Sequence, residues 1–334
     1  MSATASAPPR PKPSLRAPRA AGTKKRMLII VNPYATTVSD RLKNLVVYAL
    51  QGRYEVEAVT TEAQNHATEI GREASQGDYD IVVAFGGDGT LNEVVNGVAG
   101  TDVPVSVLPG GSTNVVVRTL GIPTDVVDAT EHLLGLADDF SPRRIDLGTV
   151  NGRHFVFACG LGLDASVVKR VDANPNLKSR AGEYFFTWAA LSAFYRQYMR
   201  NAVRFEVEAG GRTSEGLTAI AQNSEPFTYF GSRPINVCRN VGFEDGTLAL
   251  AVLRRATQRD MPSIISRVFA ERLAVADHGQ IDHFDGLTGA RVRSLSHDDE
   301  GGLRPFPVQV DGDYIGDFDQ LEIGVRRKAL SIVA

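Results

Sequence analysis

Residues 81 to 93 limit what this chain can fold into more than any other stretch. Ile81 to Phe85 are five apolar residues in a row, three of them β-branched. Such a run forms a strand buried on both faces, as in parallel sheets. Gly86, Gly87 and Gly89 then surround one carboxylate, Asp88. Thr90 is placed to cap a helix, and Glu93 follows at capping-box spacing. Leu91, Val94, Val95 and Val98 recur at helical intervals, so the stretch reads as strand, glycine turn and helix N-terminus. Backbone N–H groups at such a turn can approach an anion, and the helix dipole favours negative charge there. A phosphate suits the turn, but Asp88 would repel it unless a cation such as Mg²⁺ lay between them. A tight turn with a solvated Asp is the alternative. Neither the Gly-x-Gly-x-x-Gly spacing nor a following Gly-Lys-Ser/Thr occurs here.

A chain of 334 residues exceeds the usual single domain, which predicts two. Apolar content of 43% and charged content of 22% describe an ordinary globular protein. No apolar run reaches the roughly 18 residues of a membrane span. Cys159 and Cys238 are too few for a disulfide framework and fit a reducing cytosol. The histidines show no zinc-type spacing. The net charge of −3 hides a cationic start: Arg10, Lys12, Arg16, Arg19, Lys24, Lys25 and Arg26 have no acid among them. With its prolines and alanines, the tail of residues 1–26 reads as disordered. It is either solvated or in weak contact with an anionic membrane.

Met27 to Val31 is a first strand, ended by Asn32-Pro33. A helix is expected over 39–50, with Leu42, Leu45, Val46 and Ala49 on one face. A strand over 54–59 ends at Thr60 and Thr61, and a helix over about 65–74 follows. A strand over 103–108 runs into Pro109-Gly110-Gly111-Ser112-Thr113-Asn114, a second glycine turn. Strands separated by helices and ending in glycine turns predict a parallel α/β sheet, with ligand at the carboxyl ends of the strands. After a helix over 125–137 the texture changes to strands and turns. Asn151-Gly152 between apolar runs is a hairpin signal. We therefore expect a tail over 1–26, a nucleotide-binding α/β domain over 27–142, and a β-rich substrate domain over 143–320. A segment over 321–334, read as two short strands, should return toward the first domain. Residues 228 to 234 read as a loop and 260 to 275 as a helix. Tyr184, Trp188, Leu191, Tyr195 and Tyr198 form a helical stripe, either core or an acyl-chain cleft.

Gly86-Gly87-Asp88-Gly89-Thr90, with Leu91-Asn92-Glu93 and Asn96-Gly97, resembles the nucleotide-binding signature of the diacylglycerol kinase catalytic-domain family. That family includes bacterial diacylglycerol kinases, sphingosine kinases and ceramide kinases. The resemblance extends over about residues 27–334. Arg144-Ile145-Asp146-Leu147-Gly148 is similar to the opening of the family's second domain. Lys178, Gly182 and Tyr184 follow another of its spacings. The implied fold is an α/β N-terminal domain with a parallel sheet, of the NAD kinase and diacylglycerol kinase type, plus an antiparallel β-sandwich.

The resemblance also implies roles. Asn32, Pro33 and Thr36 would line an ATP site together with Thr61, Gly86, Gly87, Asp88, Gly89, Thr90, Asn92, Glu93, Ser112 and Asn114. The Gly that usually follows Asn-Pro is missing, and Val115 stands where the family carries Asp. Asp88 would hold the catalytic Mg²⁺. Asp245, with the carbonyls of Gly242 and Thr247, would hold a structural Mg²⁺, unless Asp245-Gly246 is a plain hairpin turn. Asp311-Gly312-Asp313 is similar to the family's Asp-Gly-Glu. It would supply the base that takes a proton from a lipid hydroxyl, through Asp311 with Asp313 beside it or through Asp313 itself. The implied activity is ATP-dependent phosphorylation of a lipid, diacylglycerol first. A soluble acceptor such as NAD⁺ and a non-catalytic binding role are the alternatives. The expected partner is lipid at a membrane surface, met peripherally from the cytoplasm, with no nucleic acid; the reading leaves a homodimer open.

Overall fold

The structure, a computed structural model, describes residues 23–163, 165–166, 168, 202–255, 257, 259–268 and 274–334. The expected stripe of Tyr184, Trp188, Leu191, Tyr195 and Tyr198, the Lys178-Gly182 spacing and most of the basic tail lie outside these residues. Four parallel strands, β1 (Lys25–Val31), β2 (Tyr54–Thr60), β3 (Ile81–Gly86) and β4 (Val105–Pro109), stand in the order β2-β1-β3-β4. Ile81 through Phe85 are all fully buried, as an apolar run without alternation demands of a central strand. Burying each of the larger side chains, Ile81, Val82, Val83 and Phe85, contributes about 1.5–3 kcal/mol over exposure, so a polar residue at Val83 would break this layer.

The helices joining the strands are α1 (Asp40–Leu50), α2 (His66–Gln76), α3 (Asp88–Val98), α4 (Val115–Thr119) and α5 (Val126–Gly135). Ser39 caps α1 by accepting from Leu42 N at 3.2 Å. The buried face of α1 is Val46 and Leu50, with Leu42 partly covered, whereas Leu45 is 58% exposed and Ala49 is exposed. The expected face was therefore misplaced by part of a turn: Leu50 docks on the core, and Leu45 and Ala49 rotate outward with it.

Residues beyond 142 build two further layers. The first sheet continues past β4 through β18 (Gln320–Ile332), β15 (Gly289–Ser294), β8 (Phe205–Ala209) and β9 (Arg212–Gly216). Strands β5 (Arg143–Val150) and β6 (Arg153–Phe155) pair alongside β18. A separate antiparallel sheet has the order β14-β13-β10-β7-β16-β17. Its strands are β7 (Ala158–Gly162), β10 (Thr218–Gln222), β13 (Leu248–Leu253), β14 (Ile281–Leu287), β16 (Phe306–Val310) and β17 (Asp313–Phe318). Between the sheets lies one core that includes Val207, Leu161, Val292 and Val308. Phe205 and Phe306 meet across it with ring centroids 5.0 Å apart. This is the expected α/β domain and antiparallel sandwich.

Three local expectations are corrected. Residues 228–234 contain a small hairpin, β11 (Thr228–Phe230) with β12 (Arg233–Ile235), rather than a bare loop. The helix expected over 260–275 is α6 (Met261–Val268), followed after a gap in the described residues by a 3₁₀ turn at Val275–Asp277. The two closing strands are one, β18, interrupted by a bulge between Arg326 and Leu330 where Lys328 has φ of 49°. β18 pairs with β15 at its start and reaches Val105 of β4 through Ile332, so a single strand ties the sandwich to the parallel sheet.

Candidate functional site

The two glycine turns lie back to back at the carboxyl ends of β3 and β4. Gly110 N donates to Gly86 O at 2.8 Å. A Cβ on Gly110 would sit 2.8 Å from Gly86 Cα, and one on Gly111 would sit 2.8 Å from Gly87 Cα. This backbone-to-backbone approach is what the glycines permit. The chain after β1 packs beside the second turn, where Thr37 N donates to Gly110 O. Asn32 donates from Nδ2 to Thr90 Oγ1 at 3.0 Å and accepts from Tyr34 N at 2.9 Å, tying the end of β1 to α3. Asn114, in the left-handed region, closes the second turn by accepting from Gly111 N and donating to Gly111 O.

The start of α3 differs from the capping-box reading. The helix begins at Asp88 with Gly87 as N-cap, so Thr90 lies inside it. Glu93 accepts instead from Asn65 N at 2.8 Å and Ala67 N at 3.2 Å, capping the neighbouring α2. Helices α2 and α3 pack closely enough for Gly97 to touch the backbone of Thr68, and this brings Glu93 to that helix end.

Asp88 accepts from Val115 N at 2.9 Å and Val116 N at 3.2 Å, so it caps α4. Val115 therefore sends its side chain into the core and its N–H to Asp88. Burial pushes the Asp88 carboxyl up to about 6, the two N–H donors oppose that rise, Asp313 adds to it and Arg118 draws it back. Arg118 itself donates to Gly231 O at 2.6 Å and lies under the Tyr229 ring, linking α4 to the β11–β12 hairpin.

Asp311 and Gly312, both at positive φ, form the tight turn between β16 and β17. The Asp311 carboxylate is buried and accepts four hydrogen bonds: from Val156 N at 2.6 Å, Phe157 N at 2.9 Å, Ala158 N at 3.1 Å and Asn92 Nδ2 at 2.8 Å. Burial raises this carboxyl also to about 6. With both oxygens engaged in the interior, Asp311 is placed as an anchor. Asp313, the first residue of β17, lies against the first turn of α3; a methyl group on Gly89 would collide with its carboxylate.

A cleft of about 260 Å³ opens there, lined by Gly89, Thr90 and Asp313 together with Asn32, Thr61 and Glu93. Tyr34, Ala63 and Gln64, to which the sequence assigns no role, complete its wall together with Ala67. Pro33, Thr36 and Ser112 are exposed on the loops after β1 and β4 and are not among the residues that line it. Asn92 is fully buried and turned away from the cleft: besides Asp311 it bonds His154 O, Arg153 and Asn96.

Asp245 is exposed on the turn before β13, with its carboxylate against Gly242 and its N–H on Gly242 O at 3.3 Å. That turn is fastened by Asp146, a buried residue that sequence reading treated only as a family marker. Asp146 accepts from Gly246 N and from Lys328 N, each at 2.6 Å. Among the described residues no three His, Cys, Asp or Glu side chains gather at one point. Any cation here would be completed by water, carbonyls or phosphate, which is how Mg²⁺ is usually held. Asp88 fits: each oxygen spends one lone pair on α4 and keeps another. Asp245 offers one exposed carboxylate beside Gly242, which would leave most of a cation's coordination to carbonyls and water.

Comparison with known proteins matches this arrangement. The profile of the diacylglycerol kinase catalytic domain matches residues 26–150. A diacylglycerol kinase of Staphylococcus epidermidis is 35% identical over 301 residues, 88% of this chain and 87% of that protein. One from Bacillus subtilis is 38% identical over 146 residues, 41% of this chain and 46% of that one. The crystal structure of a diacylglycerol kinase from Bacillus anthracis superposes with a TM-score of 0.66 at 20% identity, covering 92% of this chain and 96% of that one, and so shares the fold. With its paired glycine turns, its Asp311-Gly312-Asp313 hairpin and a relative alike over nearly its whole length, the chain belongs to the diacylglycerol kinase family of lipid kinases.

Proposed function

We propose that the chain transfers the γ-phosphate of ATP to the primary hydroxyl of a membrane lipid, with diacylglycerol as acceptor and phosphatidic acid as product. The observation that carries this reading is the Asp313 carboxylate, which lines the cleft against the first turn of α3. The glycine turns and the α3 N-terminus suit the phosphates, since backbone N–H groups and the helix dipole favour anions. Asn32, Thr61 and the α2 end would take the rest of the nucleotide.

Phosphoryl transfer is governed by positioning and charge neutralisation. Mg²⁺ held by Asp88 would neutralise phosphate charge. Asp313 accepts the proton of the lipid hydroxyl as its oxygen bonds to the γ-phosphorus, and the bond from that phosphorus to the bridging oxygen of ADP breaks. Asp311 anchors the hairpin that carries Asp313. Residues 27–142 serve the nucleotide and residues beyond 142 serve the lipid. Among the described residues no helix is long and apolar enough to cross a membrane, so we propose that the chain meets its lipid at the bilayer surface.

Purified protein should be incubated with labelled ATP, Mg²⁺ and vesicles containing diacylglycerol or a sphingoid lipid, with NAD⁺ and sugars in parallel. Label entering phosphatidic acid is the expected result. Label entering NAD⁺ or a sugar in preference to every lipid would overturn the reading.

A further inference from the structure

We infer that Asn92 is a positioning residue for phosphoryl transfer: it pins the β16–β17 hairpin to α3 and so sets where Asp313 stands over the nucleotide turn. This rests on the reading of Asp313 as the base. Asn92 lies one turn along α3 from Asp88, fully buried, on a face that meets the second domain. Its Nδ2 donates to Asp311 Oδ2 at 2.8 Å, and its Oδ1 accepts from Arg153 Nη2 at 3.0 Å. Asp311 receives its other three hydrogen bonds from backbone N–H groups of the second domain, so the Asn92 amide is the donor that crosses from α3. Asp311 and Asp313 are separated only by Gly312, which has φ of 88° and whose N–H is held by Gln309 Oε1 at 2.8 Å. A displacement of Asp311 is thus passed on to Asp313. The helix that carries the phosphate-facing turn at one end grips the base-bearing hairpin one turn further along.

Asn96 provides the contrast. It lies on the same face and joins the same interface, accepting from His154 N at 2.9 Å and donating to His154 O at 3.1 Å, without touching Asp311. A purely stabilising role would show in Tm for both residues and in kcat for neither, even though Asn96 also donates to Asn92 Oδ1 at 3.2 Å. A pin would separate them.

The test uses the full chain with Asn92→Asp, Asn92→Ala and Asn96→Ala. Asn92→Asp keeps the size and the acceptor for Arg153 but sets a second carboxylate against Asp311, so it breaks the grip by like-charge repulsion, whereas Asn92→Ala removes the donor without adding charge; either variant serves if the other fails to fold. Misplacing a reacting group by about 1 Å can cost on the order of 100-fold, so kcat for lipid should fall by about 10–100-fold in Asn92→Asp, with KM for ATP within about 2-fold. Asp311→Asn combined with Asn92→Ala should cost no more than the worse single change, because both break one linkage. Asn96→Ala should lower Tm yet leave kcat within about 2-fold. Hydrogen exchange at the Val156, Phe157 and Ala158 amides, which bond Asp311, should quicken in Asn92→Asp and not in Asn96→Ala. This readout needs no turnover. A wild type inactive on every lipid would sink the kinase reading, while exchange would still decide the pin. Unchanged kcat and exchange in Asn92→Asp, or an equal loss of kcat in Asn96→Ala, would overturn the inference.

Discussion

The turn that starts α3 and the turn that joins β16 to β17 each carry a signature aspartate, and the two are used alike. Asp88 grips the first N–H groups of α4, and Asp311 grips three N–H groups of the link from β6 into β7 together with the Asn92 amide. Burial raises both carboxyls to about 6. What differs is the neighbour. Beside Asp88 stands Gly89, bare enough for another group to approach; near Asp311 stands Asp313, the group that approaches it. One turn supplies the space and the other the carboxylate. Each signature aspartate thus fastens a neighbouring element, Asp88 with lone pairs to spare for the proposed Mg²⁺, while Gly89 and Asp313 line the cleft.

The sharpest test of this contrast is Asp313→Asn. It should lower kcat by about 10²–10⁴-fold, the usual worth of a general base, with Tm almost unchanged. An Asp313→Asn protein with near wild-type turnover would return the base role to Asp311. Next comes Asp311→Ala, read by urea unfolding. Each buried donor left unpaired costs about 1–3 kcal/mol, so losing a carboxylate that serves four donors should cost at least about 3 kcal/mol. A stability loss within about 0.5 kcal/mol, the range of ordinary surface changes, would show that Asp311 is no anchor.

Gly89→Ala probes the space itself. In a helix this change ordinarily stabilises, by up to about 1 kcal/mol. Here the methyl group meets the Asp313 carboxylate, so kcat should drop at least about 10-fold while Tm holds or rises. Equal kcat in wild type and variant would mean that the two turns do not approach during turnover.

The interface between the turns also carries a pH signal. Burial, with Arg326 nearby, lowers the His154 imidazole from its ordinary 6.5 to about 4. As pH falls from about 6.5 to 4 the unfolded chain takes up this proton while the folded chain does not, so the histidine's contribution to stability is lost over that window. Asp88 and Asp311 run the other way, their raised carboxyls adding stability as pH falls from about 6 to 4. Comparing wild type with His154→Asn isolates the histidine: the variant should lose less stability on acidification. Parallel curves would remove His154 from the account. The smallest effect concerns Asp245. If its turn holds Mg²⁺, the ion should raise the wild-type Tm by mass action and leave that of Asp245→Ala where it was. A Tm indifferent to Mg²⁺ makes it a plain turn.

Much of this was legible in the chain. Ile81 to Phe85 could be nothing but a buried strand, because five apolar side chains leave no face for water. The glycines after it declared a turn, since only they allow the approach of Gly110 and Gly111. Asn151-Gly152 announced its hairpin, and both residues take the positive φ that such a turn needs. These features are local, and local sterics settle them.

Glu93, Asn92, Asp88 and Asp311 were different. Each has the residue type and position of a ligand contact, and spacing along one helix or strand could not say where its side chain goes. Glu93 caps a helix other than its own, Asn92 reaches the far domain, and Asp88 and Asp311 satisfy N–H groups distant in sequence. Sequence alone determined which residues could donate and accept and which backbone could bend. Only the tertiary structure decided which buried groups needed those partners, because a hydrogen bond between remote residues exists only once the layers carrying them have packed.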